Sequence, residues 1–471
     1  MTGRVRRPNL LLFMTDDHAV PAIGAYGSVI NKTPAVDRLA AEGIRFDNAF
    51  CSNSICSPAR ATLLTGTYSH VHGMTTLEQP GQKFDASQPT FPAMLQKAGY
   101  QTAIIGKWHL GHGAYSDPRG FDHWEVLPEH GVYHDPVFLT AEGERQYQGY
   151  VTDIITDLAL QWLDGRDPER PFALLVQHKA PHRAFEPAAR HRHLYENEDI
   201  PAPETLHDDY SDRAPAAAEA AMRMSDLQPH DLKAPVPEGL SERQEREWRY
   251  QRYIKEYLRV IAALDENVGR VLHYLDVSGL EADTAVTYTS DHGFYLGEHG
   301  WFDKRFMYEP SLRIPLIVRY PGVVPAGAAT DELVVNVDFA QTLLDLAGVE
   351  PHPRMQGRSL VPLLRGQQPP DWRQAVYYRY FEHLDACHDV QANYGIRTHR
   401  YKLIHYPGHG SGQVGAKDEK REPAWELFDL EQDPDELRSR YDDPTYAHIV
   451  RELTEQLTRL QLHYADTPEH A

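Results

Sequence analysis

Seven residues able to bind ions or move protons stand where short apolar runs of this chain stop. Asp16 and Asp17 close NLLLFMTDD, Lys107 and His109 close TAIIGKWH, His182 closes FALLVQHKAPH, and Asp291 and His292 close AVTYTSDHG. Taken singly, a pair of adjacent acids is a solvated turn. Asp16, Asp17 and Asp291 brought together become a cation site, because crowded carboxylates raise one another's pKa unless a positive charge neutralises them. Three hard oxygen ligands suit Ca²⁺ or Mg²⁺, and His292 pulls towards a softer ion such as Mn²⁺ or Zn²⁺. Cys56 opens Cys-Ser-Pro-Ala-Arg, and Pro58 fits the first turn of a helix that runs through Arg60 and closes near Gly66. A thiol at that N-terminus feels the helix dipole and a guanidinium, both of which lower its pKa and favour an anionic ligand. The alternative is a buried apolar cysteine.

The elements that must position these residues are strands buried on both faces, as in a parallel sheet. Helix patterns lie between them: TPAVDRLAAEG, with Thr33 as N-cap, Pro34 at the first position and Gly43 as the stop; Pro92 to Gly99; and Tyr253 to Leu275, whose apolar stripe includes Ile254, Leu258, Ile261, Leu264, Val268 and Leu272. The alternation predicts an α/β fold, a large, mainly parallel sheet flanked by helices, and such sheets bind ligands at the carboxyl ends of their strands. Residues 186–250 predict a surface excursion with some helix, or a lid. After GQQPPDW, the strand patterns VYYRYF, YGIRTHRYKLIHY and WELFDL and a helix near Tyr446 to His463 predict a small antiparallel sheet with a terminal helix, with a loop at HGSGQVGAKDEKREP. The expected division is a catalytic part at 1–368 and a C-terminal subdomain at 369–471.

Composition excludes some classes of partner. With 471 residues, 47 basic against 68 acidic, the net charge is -21, which opposes general affinity for nucleic acid or anionic membrane. No run approaches the roughly 18 apolar residues of a membrane span. The basic start and the short run Leu10 to Met14 predict a buried strand, not a signal segment, and hence a cytoplasmic protein. Three cysteines, Cys51, Cys56 and Cys387, make no disulfide framework and fit a reducing compartment.

CSPAR, Cys56 to Arg60, resembles the Cys-x-Pro-x-Arg element of the type I sulfatases of the alkaline phosphatase superfamily. FMTDDHAV, TPAVDRLAAEGIRFDNAFCSNSICSPARATLLTG, GKWHLG, APH, SDHGFYLGEHG with Lys304 beyond it, and ELFDLEQDPDE extend the likeness over most of the chain. The resemblance implies that Cys56 is converted to Cα-formylglycine by a formylglycine-generating enzyme. It also implies that Asp16, Asp17, Asp291 and His292 bind a divalent ion, usually Ca²⁺, together with the modified Cys56. Arg60, Lys107 and His109 would hold the hydrated aldehyde, and His182 and Lys304 the sulfate and the departing oxygen. His109, of near-neutral pKa, is the expected base, and His182 or Lys304 the acid. His178 is expected to be structural, and Cys51 to pack. Lys107 and Lys304 outside such a site would be surface lysines. The implied function is hydrolysis of a sulfate monoester, and the likeness runs closer to bacterial carbohydrate sulfatases of the N-acetylglucosamine-6-sulfatase kind. Two alternatives are a phosphonate monoester or phosphodiester hydrolase, and a non-catalytic anion-binding protein with Cys56 unconverted.

Overall fold

A run such as Asn9–Thr15, apolar on both of its faces, is stable only as an inner strand, and it becomes one. The structure is a computed structural model and describes residues 7–466; Arg4 and Arg6 of the basic start, and the last five residues of the C-terminal subdomain, lie outside it. In chain order the strands of the large sheet are β1 (Asn9–Thr15), β2 (Ile44–Phe46), β4 (Gln101–Lys107), β5 (His123–Leu127), β6 (Val137–Thr140), β7 (Gly143–Gln146), β8 (Phe172–Gln177), β9 (Thr284–Ser290), β10 (Leu316–Arg319) and β11 (Ala328–Thr330). They form a ten-stranded sheet in the order β11-β2-β10-β9-β1-β8-β4-β5-β6-β7. The five central strands, β9, β1, β8, β4 and β5, are parallel, and antiparallel strands flank them on both sides. Two more short strands, β3 (Ala49–Phe50) and β12 (Val334–Val335), pair apart from the sheet.

Alternate side chains of β1 serve two cores: Leu10, Leu12 and Met14 pack into one and Leu11 and Phe13 into the other. Helix α1 (Pro34–Ala41) and the long helix Glu242–Val277 cover the second face, and helix α2 (Cys56–Thr65) belongs to the first. The long helix starts eleven residues ahead of the apolar stripe, at a capping box in which Ser241 Oγ accepts from Gln244 N and Gln244 Oε1 accepts from Ser241 N. The expected Thr33 cap of α1 is replaced. Thr33 Oγ1 takes the Gly24 N–H and donates to Asp37, while the Asp265 carboxylate of the long helix accepts from Ala35 N and Val36 N, each at 3.0 Å.

The C-terminal part is the expected antiparallel sheet, β13 (Ala375–Tyr380), β14 (Asn393–Thr398), β15 (Tyr401–Tyr406) and β16 (Ala424–Asp429), followed by helix Ala447–His463. Its first strand lies beside the segment ahead of α2, where Arg379 N donates to Ser52 O at 3.0 Å and Tyr378 OH accepts from Ser54 N. The apolar cluster runs without a break from the large sheet into this one. Residues 186–250 hold only short helical turns before the long helix begins. Among the described residues, no helix is long and apolar enough to cross a membrane.

Candidate active site

Parallel register sets the level at which the acids leave the sheet. Thr15 pairs with Ser290, Met14 with Gln177, and Gln177 with Gly106, so Asp16, Asp291 and Lys107 emerge at one end of adjoining strands. Gly106 is required there: its φ is 110°, and a Cβ on it would lie 1.9 Å from the Gln177 carbonyl oxygen. Asp17 and His109, just beyond their strands, also take left-handed φ of 68° and 56°. Backbone strain of this kind gathers at functional sites.

Helix α2 delivers Cys56 to the same point. It begins at Cys56 after the extended Ile55 and stops at left-handed Gly66, as its sequence requires, and all ten of its residues are buried. Cys56 Sγ lies 3.4 Å from Asp16 Oδ1, 3.4 Å from His292 Nε2 and 3.7 Å from Lys304 Nζ. The expected lowering of its pKa does not occur. Burial pushes the Cys56 thiol up, the Asp16 charge adds to that, and Lys107 and Lys304 offset it only in part. Arg60 is turned to Asp291, donating to Oδ2 from Nε at 3.2 Å and from an η nitrogen at 3.0 Å. Cys51 packs in the apolar cluster, its Sγ 3.8 Å from the Ser311 carbonyl oxygen, and is a free thiol.

Three carboxylates meet three cations. Lys107 Nζ contacts Asp16, Lys304 Nζ donates to Asp17 Oδ1 at 2.7 Å, and Arg60 holds Asp291. Burial works to raise the Asp16 carboxyl, but Lys107, with Arg60 and Lys304, holds it well below the usual range. Asp17 is raised to about 7 by burial and by Asp16 and Asp291, against the pull of Lys304, and Asp291 to about 6 by burial and Asp16. Such carboxylates lack one more positive charge. The donor set fits a divalent ion: ligand atoms of Asp16, Cys56, Asp291 and His292 all lie within 4.8 Å of one another, and so do those of Asp16, Asp17 and His182. Asp17 Oδ2 is buried with no hydrogen-bond partner among the described residues. His292 Nδ1 donates to the Gly293 carbonyl at 2.8 Å, which leaves the Nε2 lone pair turned to the cluster, the tautomer a metal ligand needs.

His109 and His182 are held in the neutral form. Burial and Lys107 hold both His109 and His182 well below the ordinary imidazole value, so the expected near-neutral pKa of His109 is not found. His182 Nδ1 donates to the Arg183 carbonyl at 2.5 Å, and Nε2 faces Asp17 Oδ2 at 4.0 Å. His178 is buried off the site, with neither ring nitrogen hydrogen-bonded among the described residues, and burial takes it down to about 3.

Above Cys56 opens a cavity of about 810 Å³ that reaches His130, His182, Lys304, Arg305 and His388. The excursion supplies one wall through Ala221, Ser225, Asp226, Gln228 and His230. Several residues around the site are not singled out by the sequence reading. Gln177 Oε1 accepts from Arg60 at 2.9 Å; it ends β8, where a polar residue could have been singled out. Arg183 joins Asp231 of the excursion to Asp303, and Asp303 also meets Arg305 and His388. Arg305 reaches Glu382 at 2.9 Å and His388 reaches Asp385 at 2.9 Å, so the C-terminal part closes the cavity with a paired ion network.

The parallel sheet, the buried carboxylate cage around one nucleophilic position and the ring of cations define a hydrolase of the alkaline phosphatase-like kind, built for the ester of an anionic acid. Residues 8–349 match the model of the family Sulfatase, and residues 297–463 that of N-sulphoglucosamine sulphohydrolase, C-terminal. The chain belongs to the sulfatase family and is a sulfuric ester hydrolase. It is 42% identical over 507 residues to N-acetylglucosamine-6-O-sulfatase of Bacteroides thetaiotaomicron, covering 98% of this chain and 87% of that protein. The human N-acetylglucosamine-6-sulfatase is 29% identical over 399 residues, 80% of this chain and 67% of that one. Among solved structures, BT4656 in complex with its substrate D-glucosamine-2-N,6-O-disulfate superposes with a TM-score of 0.89 at 40% identity, covering 98% of this chain and 99% of that one. A phosphonate monoester hydrolase of Agrobacterium radiobacter shares the fold, with a TM-score of 0.74 at 24% identity over 97% of this chain and 96% of its own.

Proposed function

We propose that the chain removes the 6-O-sulfate of a sulfated glucosamine unit, with Cys56 in its formylglycine form and a divalent ion, Ca²⁺ before Mg²⁺ or Mn²⁺, held by Asp16, Asp17, Asp291 and His292. The observation that carries this reading is the crowding of Asp16, His292 and Lys304 within 3.7 Å of Cys56 Sγ at the floor of a sugar-sized cavity. The names of the similar proteins supply the sugar and the position. The ion supplies neutralisation of the sulfate oxygens, and the aldehyde hydrate an oxygen nucleophile with a second hydroxyl for release of sulfate.

This chain's own groups do the rest. Three carboxylates balanced by three cations leave a surplus of positive charge once a divalent ion is present, and an anionic ester fills it. Lys107 and Lys304 are held rigidly by Asp16 and Asp17 and face the nucleophilic position. His109, kept neutral, is in the form that accepts a proton. His182 is neutral in the free enzyme; an anion entering beside it opposes the repulsion from Lys107 and raises its proton affinity, which suits it to protonate the departing alcohol. The ion network of Asp303, Arg305 and His388 offers donors and acceptors to sugar hydroxyls. We assign 1–368 to the catalytic part, 186–250 to the cavity's side wall or lid, and 369–471 to a subdomain that closes it. Maturation needs a formylglycine-generating enzyme.

The test is sulfate release from 6-O-sulfated glucosamines, N-sulfated and N-acetylated, alongside aryl sulfate and a matched phosphodiester, with peptide mass analysis of the segment around Cys56. Release from the 6-O-sulfated sugars by an aldehyde-bearing protein is expected. A kcat/KM favouring the phosphodiester, or release from aryl sulfate alone, overturns the proposal.

A further inference from the structure

His130 holds no ion and ends no strand, yet it stands at the centre of the proton-moving groups. It lies in the loop between β5 and β6, its ring 4.1 Å from that of His109 and 4.6 Å from that of His182. Lys107 Nζ, 3.3 Å away, meets His130 Nδ1. An ammonium has only protons to give, so Nδ1 accepts and the ring hydrogen sits on Nε2. Lys107 is itself fixed by Asp16, which makes this tautomer a built feature. Nε2 has no hydrogen-bond partner among the described residues, and His130 lines the cavity that has Cys56 at its floor.

We propose that His130 is a catalytic residue, a neutral Nε2–H donor to an oxygen of the bound sulfate. This rests on the sulfatase reading above. A neutral donor suits that place: Lys107, Lys304 and Arg60 already provide charge, and a fixed N–H adds stabilisation where charge develops without drawing water into the site. Burial and the Lys107 charge keep the ring neutral throughout the working pH range, with its pKa lowered to about 2.

The two ring nitrogens can be tested apart, because a Gln side chain places an amide N–H near the Nε2 position and an Asn side chain reaches only the Nδ1 position. Wild type, His130→Ala, His130→Asn and His130→Gln are compared for kcat and KM on a 6-O-sulfated glucosamine, after circular dichroism and thermal melting confirm that each is folded. The expected loss of kcat is on the order of 100-fold for His130→Ala and for His130→Asn, with at least about tenfold recovery in His130→Gln, as for removal and replacement of one oxyanion donor. The acid limb of the kcat/KM profile is expected to keep its position in His130→Gln. Equal losses in all three variants, or better recovery by Asn than by Gln, would assign the ring to packing or to holding Lys107 and overturn the proposal. So would a His130→Ala enzyme within twofold of wild type. Wild-type turnover in the same assay tests the sulfatase reading separately: if wild type releases no sulfate, that reading fails, whereas an active wild type with indifferent variants sinks only the role of His130.

Discussion

Replacing Arg60 by Met keeps the length of the side chain and removes its charge at a point where the guanidinium is fully engaged. Arg60 is 1% exposed and makes four hydrogen bonds: two to Asp291 Oδ2, one to the Lys107 carbonyl at 3.0 Å and one to Gln177 Oε1 at 2.9 Å. Breaking one side of a buried ion pair costs about 3–5 kcal/mol. Each of the two stranded acceptors adds about 1 kcal/mol. Asp291 has a partial escape, since burial and Asp16 have already raised it to about 6 and it can take up a proton. At pH 7.5 protonation from that value costs about 2 kcal/mol, which brings the net loss to about 4–5 kcal/mol. For 471 residues unfolding together, an entropy of about 2.1 cal/mol/K per residue turns that loss into a fall in Tm of about 5 °C. The pH dependence has a definite sign. With Arg60 gone the folded-state pKa of Asp291 rises further, so the variant holds a proton that wild type has released, and the stability gap widens as pH increases from 6 to 8. Added Ca²⁺ narrows the gap, because the ion takes over neutralisation of Asp291. The assay is calorimetric melting of metal-free and metal-loaded protein at both pH values. A fall below about 1 °C, or a gap independent of pH and metal, refutes the reasoning.

Cys56→Ala should abolish sulfate release while the melting temperature stays within a few degrees of wild type, since on the proposed reading the side chain is the precursor of a reagent; substantial residual turnover would contradict this. Asp17→Asn should weaken metal retention at least about tenfold, read as metal content after dialysis against a graded chelator series; one ion per chain retained throughout would remove Asp17 from the ligand set. His178 is buried at about 3, below the ordinary imidazole value, so the unfolded chain binds a proton there that the native one does not, and the stability it confers is present above pH 6.5 and lost as pH falls. His178→Phe cannot titrate, and the wild-type advantage over it should shrink by roughly 2 kcal/mol between pH 7.5 and 5.0 in urea unfolding; an unchanged difference argues that His178 is not held neutral. Asp265→Ala should cost about 1–2 kcal/mol through loss of the α1 cap, and no change in the urea midpoint would show the two N–H groups satisfied otherwise.

The parts of the site legible in the sequence are those where one strand end carries the chemistry. Asp16, Lys107, His182 and Asp291 each follow an apolar run, and a parallel sheet places the ends of such runs together, so the four are readable without knowledge of any contact. Cys56 and Arg60 are readable for a related reason: one turn of helix separates them. Local reading fails on electrostatics. Helix dipole and guanidinium should depress the Cys56 thiol, but both are local terms, and what outweighs them is burial beneath groups distant in sequence, with Asp16, His292 and Lys304 about its Sγ. The same distance explains the cap of α1, where Asp265 displaces Thr33, and the ion network at the cavity wall, where Asp303 and Arg305 meet Glu382, Asp385 and His388 of a stretch far along the chain. His130 belongs to this second kind. Its loop has no periodicity, and its significance depends on Lys107 choosing which of its nitrogens carries the hydrogen. Spacing in sequence can therefore nominate the groups that hold charge in this enzyme, whereas the protonation state in which each of them meets the substrate is decided by neighbours that only the folded chain brings near.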